Sequence, residues 1–98
     1  MTTTKSPTTF KVDTNHTVAV ADSSAANSTA FNAETREVRI VCTVDAYVEF
    51  GASPSATSSS LIIPAYTPEY FRVTPATKVA FLRVGAVTGT ARVTELTQ

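Results

Sequence analysis

The chain has 98 residues, 43% of them hydrophobic, and eight basic side chains balance eight acidic ones. That length makes one domain, or one domain with a tail, and lets it bury roughly two-thirds of its unfolded surface around one modest core. Zero net charge argues against nucleic acid, where a basic patch supplies most of the affinity, and against an anionic membrane surface. It also leaves association unopposed by self-repulsion.

The single cysteine, Cys42, has no partner for an internal disulfide. No run approaches the roughly 18 apolar residues of a spanning helix. The opening Met1-Thr2-Thr3-Thr4-Lys5-Ser6-Pro7 lacks the apolar stretch of a signal peptide. Folding in a reducing cytosol is therefore expected. Thr, Ala, Val and Ser dominate and Leu is scarce, which favours pleated strands over helices.

Residues 1–9 are polar, Thr-rich and without period, so they read as an extended arm held by something outside itself. The domain is expected over 10–98. Phe10-Lys11-Val12 alternates and starts a first strand; Asp13-Thr14-Asn15-His16 is a turn cluster. Residues 17–21 form the next strand, 22–27 a small polar loop, and Thr29-Ala30-Phe31 a short strand. Val38, Ile40, Cys42 and Val44 share one face at period two. Asp45-Ala46 then reverses the chain into Tyr47-Val48-Glu49-Phe50, which predicts an antiparallel hairpin.

A loop with Pro54 and a Ser run follows, then the strand Leu61-Ile62-Ile63. Pro64 ends that strand, and Pro68 opens another extended segment over 69–73. Residues 78–84 are apolar on both faces, as in a central, doubly covered strand. Residues 85–89 turn the chain, and 90–96 alternate to the end. Eight or nine short strands at regular spacing predict an all-β fold, a single β-sandwich or small barrel with jelly-roll or Greek-key wiring.

Reactive side chains are not gathered. His16, the only histidine, would have to be the base of any Ser-His-Asp or Cys-His arrangement. No serine stands in a nucleophile-elbow context, so His16 reads as an exposed turn residue. Cys42 sits mid-strand on an apolar face and reads as buried filler. The carboxylates, Glu95 among them, read as surface partners. The ligand sets of zinc and calcium are missing, as is a Gly-rich phosphate cradle. No catalytic, cofactor or metal residue is expected. Tyr70-Phe71-Arg72 reads as core plus strand surface. Pro64 and Pro68 bracket Ala65-Tyr66-Thr67, either as a rigid connection or as a contact loop anchored by Tyr66.

Three segments carry a resemblance. The first is Val38-Arg39-Ile40-Val41-Cys42-Thr43-Val44-Asp45-Ala46-Tyr47-Val48-Glu49-Phe50-Gly51-Ala52-Ser53-Pro54-Ser55-Ala56-Thr57. The second, the most specific, is Leu61-Ile62-Ile63-Pro64-Ala65-Tyr66-Thr67-Pro68-Glu69-Tyr70-Phe71-Arg72-Val73. The third is Lys78-Val79-Ala80-Phe81 followed by Gly89-Thr90-Ala91-Arg92-Val93-Thr94-Glu95-Leu96. From about Arg36 onward the chain resembles small structural proteins encoded in tailed-bacteriophage genomes. Two departures are Pro75-Ala76, where the pattern often has Gly after Pro, and the bulkier turn Gly85-Ala86-Val87-Thr88-Gly89.

The resemblance implies a virion component, foremost a decoration (cement) protein made in the host bacterial cytoplasm and bound to the capsid surface. It brings no catalytic residues, and an enzyme is not expected. The implied partners are the major capsid protein or other virion proteins and further copies of the chain, with a trimer as the expected homo-oligomer. The candidate interface is Thr4, Lys5, Phe10, Tyr66 and Tyr70. The alternatives are a low-copy tail or head–tail adaptor or fibre module, and a glycan-binding β-sandwich that stacks sugars on Tyr47, Tyr66 and Tyr70.

Overall fold

The computed structural model describes residues 11–97; the arm over 1–9 and the candidate contacts Thr4, Lys5 and Phe10 lie outside them. Eight strands follow in chain order: β1 (Lys11–Val20), β2 (Ala25–Ala26), β3 (Glu37–Cys42), β4 (Ala46–Gly51), β5 (Leu61–Ile63), β6 (Glu69–Arg72), β7 (Lys78–Arg83) and β8 (Gly89–Thr97). They form two four-stranded sheets, β1-β8-β3-β6 and β2-β7-β4-β5, with every pairing antiparallel. Only β4–β5 connects neighbours within one sheet; every other connection crosses between sheets. That is jelly-roll wiring, and the fold is the β-sandwich expected.

The period-two residues meet between the layers. Val18 and Val20 of β1, Val38, Ile40 and Cys42 of β3, and Ala91 and Val93 of β8 face Ala46 and Val48 of β4, Ile63 of β5, and Val79 and Phe81 of β7. Phe50 and Phe71 close the β5–β6 side with ring centroids 5.3 Å apart. β7 is central, as its two apolar faces suggest, and Ala80 is fully buried although it points away from the core. The 52–60 loop is anchored on this outer face. Ser60 Oγ donates to Glu49 on β4 and the Ala56 amide donates to Ser24 Oγ beside β2, so the loop's anchors lie on either side of Ala80.

Three local expectations are corrected. Residues 38–44 and 47–50 do not form a hairpin: β3 pairs with β6 and β8, and β4 with β5 and β7. The 43–45 turn carries the chain from one sheet to the other, so the two apolar faces meet across the core instead of lying side by side. The strand expected at 29–31 is displaced to Ala25–Ala26. Phe31 is instead a buried plug whose amide donates to the Thr77 carbonyl at 2.8 Å and whose carbonyl accepts from Ala76. Finally, the 13–16 cluster is not a turn. β1 runs through it with a register shift between Val12 and Asn15, a bulge that absorbs the polar residues without breaking the strand. His16 is thereby buried, not exposed.

Candidate functional site

One end of the sandwich is built from the 43–45, 64–68 and 84–88 connections. Asp45 ties them together. Its carboxylate accepts from the Ala65 amide at 2.8 Å, and its carbonyl accepts from the Val84 amide at 3.1 Å. Cys42, the last residue of β3, accepts from the Tyr66 amide at 2.7 Å, and the Thr67 hydroxyl donates back to the Ala65 carbonyl. The two prolines fix the loop's entry and exit. So held, Tyr66 has φ 56° and leaves 72% of its surface exposed. A bulky non-glycine residue in the left-handed region costs about 1–3 kcal/mol. Here the strain presents an aromatic ring to solvent.

An apolar row lies near the same end of the sandwich. Tyr47 of β4 lies directly between Ile62 of β5 and Leu82 of β7 on the outer face of their sheet. Ile62 is exposed and Tyr47 and Leu82 are half-buried. Val84 and Val87, exposed in the adjoining turn, extend the apolar surface at the same end. Tyr70 does not join it. Tyr70 pairs with Arg39 on the outer face of the opposite sheet, so the structure separates the two tyrosines of the candidate interface. Tyr47 and Tyr70 likewise point to opposite sides, and the three tyrosines line no common cleft.

A second, polar feature lies toward the other end, between β1 and the 27–36 loop: a pocket of about 300 Å³ with His16 and Glu95 among its lining residues. Glu95 is fully buried on the core side of β8. His16 Nε2 lies 2.6 Å from its Oε2, while Oε1 accepts from the Asn32 amide at 2.9 Å and from the Thr35 hydroxyl. Burial pushes the Glu95 pKa up, but the hydrogen bonds from Thr35, His16 and Asn32 and the His16 charge outweigh it and hold the group below the usual glutamate value. The carboxylate is therefore ionised and accepts only, so Nε2 carries the proton in that bond. Phe31 packs edge-on against the imidazole at 5.8 Å. Among the described residues no three His, Cys, Asp or Glu side chains gather as a metal site.

Cys42 is buried, as expected from its strand face, and burial pushes its thiol up to about 11. Reading carboxylates as surface partners misses Glu95. Its signal was the alternation of 90–96, which puts Glu95 on the same face as Ala91 and Val93. The Ile62–Tyr47–Leu82 row depends on strand register, which no single segment encodes. No family model, curated protein or solved structure matches the chain.

Proposed function

We propose that the chain is a structural protein of a bacteriophage virion: a decoration protein that grips the outside of the capsid with the Tyr66 end of its sandwich. The observation that carries this reading is Tyr66 itself, an exposed aromatic held at positive φ by hydrogen bonds to its loop and to the end of β3. Backbone strain of this kind collects where a side chain must be presented to a partner, and tyrosine gives large contact area for two torsions. The neighbouring Ile62, Tyr47 and Leu82 extend the apolar surface, and apolar patches on otherwise polar domains mark interaction sites. The sequence resemblance supplies the class of partner, the major capsid protein.

Closed symmetry is the common solution for small repeated subunits, and we assign the bound form to a trimer bridging neighbouring capsomers. The His16–Glu95 pair is structural in this reading, because both carboxylate oxygens are occupied by donors of the chain itself. The direct experiment is quantitative densitometry of purified particles of the genome that carries the gene. High copy number, in fixed ratio to the major capsid protein, is expected, with heads losing heat resistance when the gene is deleted. A handful of copies per particle would assign the chain to a tail or head–tail joint instead, and absence from particles would end the proposal.

A further inference from the structure

The polar pocket beside β1 has a lining that selects a ligand class. Its floor is His16 and Glu95, and its walls include Thr14, Ser28, Thr29 and Asn32. No lysine or arginine lines it, and a carboxylate lies in its floor, so an anion finds no counter-charge. That carboxylate already accepts three hydrogen bonds from the chain, which leaves little to attract a cation. Ala30 is the one aliphatic lining residue, so an apolar ligand would meet little apolar surface and would strip water from hydroxyls and amides. A neutral molecule with several hydroxyl groups satisfies the lining instead.

The chain also supplies a ring nitrogen among the lining residues. His16 Nε2 is engaged with Glu95 Oε2 at 2.6 Å, which leaves Nδ1 as the second ring nitrogen. Among the described residues Nδ1 has no hydrogen-bond partner, and His16 lines the pocket. Beside it, Ser28 and Thr29 are exposed at the rim and have hydroxyls that can donate or accept. About 300 Å³ is at the small end of the range for ligand sites.

We propose that this pocket binds one neutral hexose unit through hydrogen bonds alone, either a free sugar or the terminal unit of a neutral glycan chain. With no aromatic platform in the lining, binding is weak, with a dissociation constant on the order of 1 mM. The site lies away from the Tyr66 end, so it is independent of capsid docking.

The test is a two-dimensional amide and imidazole NMR titration with glucose, galactose and mannose, their methyl glycosides, and neutral oligosaccharides ending in each. The expected result is saturable shifts confined to His16, Asn32 and the 28–30 amides for at least one hexose. Equal response to free sugar and methyl glycoside would assign a site that accepts a chain end; response to the free sugar alone would assign a closed, monosaccharide site. Ser28→Tyr, which fills the rim from an exposed position, should abolish those shifts while leaving the rest of the spectrum and capsid binding unchanged. The proposal is overturned if no hexose gives localised, saturable shifts, or if the shifts survive in Ser28→Tyr.

Discussion

Glu95 is a charge inside a sandwich core, and its environment explains how it stays there. An isolated buried carboxylate would take up a proton. Three donors from three places in the chain, His16 on β1, the Asn32 amide and the Thr35 hydroxyl, reverse that tendency and lower the pKa. The folded value lies below the unfolded one, so the pair's contribution to stability is complete above the ordinary glutamate value of about 4.3. It is lost as pH falls through the depressed folded value. Glu95→Gln should therefore unfold at lower temperature than the wild type at neutral pH, with a smaller fall in melting temperature on acidification, read by calorimetry across pH. Glu95→Ala, which leaves His16 and Thr35 without their acceptor, should cost about 3–5 kcal/mol.

The other unusual residues are two non-glycines at positive φ, Tyr66 and Ala76. Ala76 follows Pro75 with a φ of 64°, in the left-handed region that favours glycine. Ala76→Gly should stabilise the chain by about 0.5–1 kcal/mol in denaturant titration, the left-handed penalty less the entropy of glycine.

At the scale of elements, the crossings between sheets are encoded in no single segment. The period-two faces of 38–44 and 47–50 are plain, but a three-residue turn between two apolar strands serves equally for a hairpin and for a step from layer to layer. What decides between them is where each strand finds its partners: β6 and β8 for β3, β5 and β7 for β4. Those partners come from later in the chain. The same reasoning applies to β1, where a polar cluster that reads as a turn is carried by a bulge because β8 pairs on both sides of it. By contrast, the Pro-bounded 64–68 loop, the β5 and β6 strands and the central place of β7 were legible, because proline and two-sided hydrophobicity act locally. The candidate site was half legible: Tyr66 stood out between its prolines, whereas Ile62, Tyr47 and Leu82 become one surface only through register.

Close approach at the start of β8 is an element-scale constraint of the same kind. A Cβ on Gly89 would lie 2.5 Å from Thr43 Oγ1 and 2.7 and 2.9 Å from the Val44 methyls. Thr43 cannot simply turn away, since its hydroxyl accepts from the Thr90 amide and its own amide donates to the Thr90 carbonyl. Gly89→Ala should thus destabilise the fold by about 1–3 kcal/mol, measured as a shift in the denaturant midpoint with unchanged slope.

At the scale of the whole molecule, the sandwich separates its surfaces by chemistry. One end carries apolar side chains and a strained tyrosine, and a polar pocket lies toward the other, above the buried His16–Glu95 pair. The proposed docking role rests on the first of these. Replacing Tyr66 by glycine removes the aromatic ring and relieves the left-handed backbone in one step. A tyrosine serving only as part of a rigid connection would then be dispensable. The most direct measurement is co-sedimentation of purified wild-type and Tyr66→Gly protein with capsid shells stripped of this chain, with melting temperatures taken in parallel. Saturable binding by wild type, lost in a variant that melts no lower, is the expected result. Equal binding by the two proteins, or no binding by wild type, would contradict it.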